Sequence, residues 1–201
     1  MALPSGYVTF LFTDIEGSTR LFRALEDDYV PVLERHNELL RDAWSRHAGV
    51  EVSTEGDAFF VAFAEATDSV SAAITAQQLL AAEPWPHDTG IKVRMGIHSG
   101  LAAPRDGDYI AYSVHQAARV VGAAHGGQIL LSEETRHALN GASLRLRSLG
   151  RYRIRDFDEP IELFQADAPG VPPVELAPRA TPDMGHNITQ PSTAFFGRDD
   201  D

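Results

Sequence analysis

Phe12-Thr13-Asp14-Ile15-Glu16-Gly17-Ser18-Thr19 decides how the rest of the chain is read. The apolar run ahead of it, Tyr7-Val8-Thr9-Phe10-Leu11-Phe12, reads as a buried strand that delivers Asp14 to its end. Gly17-Ser18-Thr19 lets the backbone turn, and Leu21, Phe22 and Leu25 follow at helical spacing. A strand ending in Asp, a small-residue turn and a helix start can hold a divalent cation beside a triphosphate. The carboxylate supplies a hard oxygen ligand, and the free N–H groups of a helix start attract phosphate. A capped strand–helix junction with a solvated Asp uses the same residues, so a second feature has to decide between the two.

That feature lies in the next strand pair. Val50 to Val52 and Ala58 to Phe63 read as a hairpin separated by Ser53-Thr54-Glu55-Gly56-Asp57, whose turn carries a second carboxylate. If the hairpin pairs beside the first strand, Asp14 and Asp57 converge on one sheet edge. Two carboxylates reaching hydrated Mg²⁺ or Mn²⁺ are a simple way to build a phosphoryl-transfer site. Gly-Asp is also ordinary turn chemistry.

Around these segments, helical periodicity runs over residues 20 to 48, with Pro31 in the first turn of a second helix. Residues 65 to 83 form an Ala-rich amphipathic helix with Gln77 interrupting its stripe, stopped by Pro84-Trp85-Pro86. Ile91 to His98 alternates as a half-buried strand, and Gly100 to Gly107 is a polar arm. A helix over about 112 to 125, a buried strand at Gln128 to Leu131, and a helix capped by Ser132 follow. Leu144 to Ile154 and Ile161 to Phe164 close the domain as a strand pair. The order mixes parallel crossovers with one antiparallel hairpin and predicts an α+β sandwich, with helices covering a central mixed sheet.

Bulk properties narrow the chemistry. The 201 residues allow one ordinary domain plus a tail, and 43% hydrophobic with 23% charged residues suits a globular core. A net charge of −12 argues against nonspecific binding to nucleic acid or anionic membrane. With no cysteine, disulfides, thiol catalysis and Cys-ligated zinc are excluded. No leader or membrane-length apolar run is read, so a cytoplasmic location is the expectation. Of the eight histidines, His36, His47, His87, His137 and His186 are read as surface or capping residues, and His98 and His125 as packing or hydrogen-bonding groups. Arg145, Arg147, Arg151, Arg153 and Arg155 alternate as a solvated strand face or a docking strip.

With both carboxylates placed, residues 6 to 167 resemble the catalytic domain of class III adenylate/guanylate cyclases. The likeness is carried by the opening stretch, by Gly56-Asp57-Ala58-Phe59-Phe60, and by Val93-Arg94-Met95-Gly96-Ile97-His98-Ser99-Gly100. It continues through Gly107-Asp108-Tyr109, Ala117-Ala118-Arg119, Ala124 to Ser132, Leu149-Gly150, and Asp156-Phe157 with Pro160, all in the family's order. The resemblance implies a ferredoxin-like (βαββαβ-type) sandwich of the class III nucleotidyl cyclase fold and a head-to-tail homodimer with its sites at the shared interface. It implies that Asp14, Ile15 and Asp57 hold two divalent cations, Mg²⁺ or Mn²⁺, while the backbone of Ile15, Gly17, Ser18 and Thr19 cradles phosphate. Attack of the ribose 3′-hydroxyl on the α-phosphorus would then expel pyrophosphate. Arg119 of the opposite protomer would stabilise charge developing on the α-phosphoryl group, and Asp108 would accept from the adenine amino group, favouring ATP over GTP.

Two positions depart from the family. Ser53 stands where an adenine-recognising lysine is expected, and His115 stands where a ribose-orienting asparagine is expected. The resemblance therefore implies intact metal and transition-state parts with altered substrate orientation, and so a weak cyclase. A non-catalytic nucleotide-sensing or dimerisation module is the other reading, and a metal-dependent phosphohydrolase a third. From about Ala168 prolines punctuate a linker, and the segment from His186 to Asp199 resembles the junction into a P-loop ATPase domain of multidomain bacterial regulators. Residues 171 to 201 are expected to be loosely attached.

Overall fold

The computed structural model describes residues 2–141 and 144–184. Strand β1 (Gly6–Ile15) is the axis of the sheet, pairing antiparallel with β3 (Ala58–Phe63) on one side and β4 (Val93–Ala102) on the other. Adding β2 (Val50–Glu55), which pairs with β3, gives the order β4-β1-β3-β2, the arrangement of a ferredoxin-like sandwich. Beyond β4 the sheet continues through β7 (Ile129–Ser132), β9 (Ile161–Ala166), β8 (Leu146–Arg153) and β10 (Thr181–Pro182). The β4–β7 pair alone is parallel within this sheet, so the mixed character is narrower than the sequence suggests. Between β4 and the next helix, β5 (Pro104–Arg105) and β6 (Asp108–Tyr109) form a small separate ribbon.

The helices divide between the two faces according to strand alternation. Leu11 and Ile15 of β1, Val61 of β3 and Val93, Met95 and Ile97 of β4 face α2 (Tyr29–Ser45) and α3 (Ala66–Ala82). Val8 and Phe10 of β1 face the opposite way, toward Ala117 of α4 (Tyr112–Ala123). Strand β4 is thus covered on both faces along most of its length, and the expectation of a half-buried strand is corrected. Gly96 makes this possible: a Cβ there would lie 2.1 Å from the Val121 backbone nitrogen, so the helix rests on strand backbone.

Local chemistry accounts for the other adjustments. The periodic stretch after Thr19 breaks into α1 (Ser18–Leu25) and α2, separated by a short turn in which Glu26 takes a φ of 46°. Pro31 does lie in the first turn of α2. Gln77 interrupts the α3 stripe because its Nε2 donates to the buried Val93 carbonyl at 2.9 Å. The polar arm is a hairpin: Asp106 and Gly107, with φ of 53° and 83°, make the two-residue turn of β5–β6. Tyr109 anchors it by packing edge-on against Phe10 at 5.0 Å and donating its hydroxyl to the Pro4 carbonyl at 2.6 Å. Helix α5 (Glu133–Ala138) starts at Ser132, whose hydroxyl accepts from the Thr135 amide.

Two readings of the sequence are overturned. His36 is completely buried in α2, near the ring of Phe59, where it was expected at the surface. The tail through residue 184 is docked, because β10 pairs with β8 and the Leu176 carbonyl accepts from Gln128 Nε2 at 2.8 Å. Residues 185–201, including the ATPase-like junction and His186, lie outside the described residues.

Burial pushes the pKa of both His36 and His98 below the ordinary 6.5, against weaker opposing effects of Asn37 and Asp57 on the first and Glu134 and Gln116 on the second. The unfolded chain then takes up protons first on acidification. The contribution of these two rings to stability is full above about pH 6.5 and declines as the pH falls below it. A melting temperature that stays constant between about pH 7.5 and about pH 5 would show that neither ring is held neutral.

Candidate active site at the end of the first strand

Strand β1 delivers Asp14 half-buried on the same face as Phe12, while Ile15 points back into the core. The loop that follows is fixed from three directions. The Ile15 N–H donates to Asp57 Oδ2 at 3.0 Å, and the Glu16 N–H donates to the Lys92 carbonyl at 2.8 Å. Gly17 adopts a left-handed φ of 73° and opens α1, whose first turn no side chain caps. The Asp57–Ile15 hydrogen bond joins segments 42 residues apart. It places the Asp57 carboxylate on the residue that follows Asp14, at the end of the central strand β1.

The donor types suit a hard divalent cation: two carboxylates and the backbone carbonyl of Ile15, whose apolar side chain can add nothing else. Among the described residues no third His, Asp or Glu completes a protein-only metal cluster. The remaining ligands would be water or phosphate oxygens, as is usual for Mg²⁺.

Arg94, directly opposite Asp14 in the β1–β4 register, embraces Asp14 with both arms of its guanidinium, with Nε 2.6 Å from Oδ1. Sequence reasoning placed Arg94 inside a motif without assigning it a contact. The cross-strand pairing that exposes it follows only once β1 and β4 are known to be neighbours.

Two of the other predicted residues form a separate group. His115 and Arg119 lie one turn apart on α4. Arg119 Nε donates to Asp156 Oδ2 at 2.6 Å. Asp156 sits at a left-handed φ of 67° in the β8–β9 connection. Its pKa is lowered chiefly by that hydrogen bond from Arg119 and further by the nearby charges of Arg119, Arg155 and His115. Arg119, Arg153, Arg155 and Arg179 line one cavity of about 320 Å³. Of the five alternating arginines only Arg153 and Arg155 reach it, and Arg151, Arg153 and Arg155 are exposed while Tyr152 and Ile154 between them are buried, as in a solvated strand face.

Ser53 and Asp108 are not joined to either group. Ser53 is exposed within β2, which runs on to Glu55, so it belongs to a strand and not to the turn. Asp108 is exposed on the arm, where its carboxylate accepts from the Tyr109 amide at 2.7 Å. His98 and His125 take the hydrogen-bonding roles expected of them, His98 to Ser132 and His125 to the Ala177 carbonyl.

Comparison with known proteins gives the family and the fold. The family described as the adenylate and guanylate cyclase catalytic domain matches residues 2–165. An adenylate cyclase of Lachancea kluyveri is 35% identical over 159 residues, which cover 67% of this chain and 9% of that much longer protein. An uncharacterized protein of Mycobacterium tuberculosis is 30% identical over 204 residues, covering 97% of this chain and 68% of its own length. An adenylate cyclase structure from Trypanosoma brucei, solved in its monomeric state, superposes with a TM-score of 0.79 at 27% identity, covering 88% of this chain and 95% of that one. An adenylate/guanylate cyclase/hydrolase from Silicibacter pomeroyi gives a TM-score of 0.67 at 26% identity, with 80% and 96% covered. Fold, motif order and the convergence of Asp14 with Asp57 all point the same way, and the chain belongs to the family of adenylate and guanylate cyclase catalytic domains.

Proposed function

We propose that the protein is a nucleotidyl cyclase that converts ATP, with GTP as a second candidate, to a 3′,5′-cyclic nucleotide and pyrophosphate. The observation that carries this reading is the Asp57–Ile15 hydrogen bond, which gathers two carboxylates and the uncapped start of α1 at one point. Asp14, Ile15 and Asp57 would hold two cations, Mg²⁺ or Mn²⁺, which supply Lewis acidity toward the ribose hydroxyl and the phosphates. The amides of Gly17, Ser18 and Thr19 then receive phosphate oxygens, with Gly17 giving the backbone its close approach. Arg119 stabilises charge developing on the α-phosphoryl group and has to exchange Asp156 for substrate to do so.

A head-to-tail homodimer would bring Asp14 of one protomer to Arg119 of the other. Exposed Leu101, Ile110 and Tyr112, grouped around the arm and the start of α4, offer apolar surface for that contact. Asp108 on the arm is proposed to receive the adenine amino group. Ser53 and His115 are proposed to bind the base and the ribose less firmly than lysine and asparagine would. The catalytic unit is proposed to span residues 6–167, with 168–201 a tail leading toward a further domain.

Purified protein with Mn²⁺ and labelled ATP or GTP is expected to release cyclic nucleotide above an Asp14→Ala control. A Ser53→Lys/His115→Asn variant is expected to gain roughly 10-fold in rate, given that misplacement by about an ångström is worth on the order of 10²-fold. Free phosphate as the product, or no product from either nucleotide across a pH series, would sink the proposal.

A further inference from the structure

The docked tail reaches the metal loop. Arg179 pairs through its guanidinium with Glu16, the residue directly after Ile15. Its Nε donates to His125 Nδ1 at 3.1 Å, which fixes the His125 tautomer so that Nε2–H donates to the Ala177 carbonyl at 3.0 Å. The Arg179 backbone N–H donates to the Ala123 carbonyl at 2.8 Å, satisfying the last residue of α4. One residue of the tail thus touches the loop carrying Asp14 and Ile15, the turn after α4, and the helix that carries Arg119.

The chain makes room for this contact. A Cβ at Gly126 would lie 2.9 Å from Glu16 Oε2 and 2.6 Å from the Lys92 side chain, so only glycine lets Glu16 lie there. Downstream, β10 locks the segment to the sheet, with the Asp183 N–H donating to the Arg151 carbonyl at 2.9 Å and Arg153 lying 3.6 Å from Asp183. The tail is anchored on both sides of Arg179.

We propose that Arg179 is a positioning residue for the active site, a strut that holds the Ile15–Glu16 peptide in place relative to α4. This rests on the cyclase reading for its purpose, although the strut can be tested without it. The loop has three anchors: Asp57 on the Ile15 amide, Lys92 on the Glu16 amide, and Arg179 on the Glu16 carboxylate. The first two fix the backbone donors, and the third alone fixes the side chain and links it to α4. An outer partner of this kind orients a ligand without touching the bound ion. The planar guanidinium reaches His125 and Glu16 through two different nitrogens, whereas an ammonium group presents all its donors from one.

The test uses the full chain with Arg179→Ala, Arg179→Lys and Glu16→Gln. In Arg179→Ala, amide hydrogen exchange over residues 14–21 is expected to quicken about 10-fold while β7 keeps its protection. Binding of Mn²⁺ alone, followed by electron paramagnetic resonance, is expected to weaken by roughly 10-fold, as for other outer-sphere partners. If turnover is present, the loss should fall on the KM for metal more than on kcat. Arg179→Lys should recover part of each effect, and Glu16→Gln, which keeps an acceptor but loses the charge, should show a weaker form of the alanine effect. Unchanged exchange over 14–21 in both Arg179→Ala and Glu16→Gln overturns the strut, as does faster exchange spread evenly along the chain. Exchange is read without nucleotide, so a chain that makes no cyclic product still tests the strut. Conversely, neutral variants leave the cyclase reading standing.

Discussion

Gly96→Ala is expected to lower the melting temperature by about 10 °C, corresponding to about 3 kcal/mol for a chain of this size. The added methyl would lie 2.1 Å from the Val121 nitrogen and 2.4 Å from its Cα, well inside contact distance. Neither neighbour is a flexible side chain that could rotate away. The helix would have to lift from β4, and Ala117 and Val120, both fully buried, would lose packing along with it. Overpacking against backbone falls at or beyond the upper end of the usual cost for such insertions. Gly122→Ala, one residue beyond Val121 and facing open space, is the matched control and is expected to be neutral or slightly stabilising. Thermal denaturation followed by circular dichroism decides the matter. A shift below about 2 °C for Gly96→Ala would mean that α4 is not seated on the strand as described.

Under the proposed function, Asp57→Asn is expected to reduce cyclase activity by at least about 10³-fold while leaving the fold intact. The substitution is nearly isosteric, and the amide oxygen can still accept from the Ile15 N–H that Asp57 Oδ2 now accepts at 3.0 Å. What changes is the charge offered to a cation. A large loss with an unaltered melting temperature therefore reports the metal role, not loop collapse. Mn²⁺ titration of the same variant should show weakened binding. Activity within about 10-fold of the parent would remove Asp57 from the metal set and leave it as a loop anchor.

Much of this architecture was legible in the residues because local pattern and tertiary role agree. The apolar run before Asp14, the glycine turn at Gly17 and the Ala-rich stripe of α3 each become the element that their periodicity indicates. What could not be read depends on which strands become neighbours. Arg94 looks like one polar member of an alternating strand until β4 is placed beside β1. Arg119 and Asp156 are 37 residues apart, and nothing local links them. His36 falls on the apolar stripe with Val32 and Leu40, but a histidine's chemistry reads as a surface group, and the ring is enclosed where β3 and α2 press together. The tail misled for a related reason. Prolines and weak periodicity signal absence of a helix, not absence of docking, and the acceptors it uses are backbone carbonyls that leave no mark in composition.

The two ion pairs that occupy the functional charges have a further consequence. Asp14 already holds a cation in Arg94, and Arg119 already holds an anion in Asp156. Under the proposed chemistry, binding is thus a double ion exchange and not the filling of a vacant pocket. A bare cation can displace only the first partner, and a bare nucleotide only the second. The cation–nucleotide complex displaces both at once, and Arg94 and Asp156 are the charges it sets free.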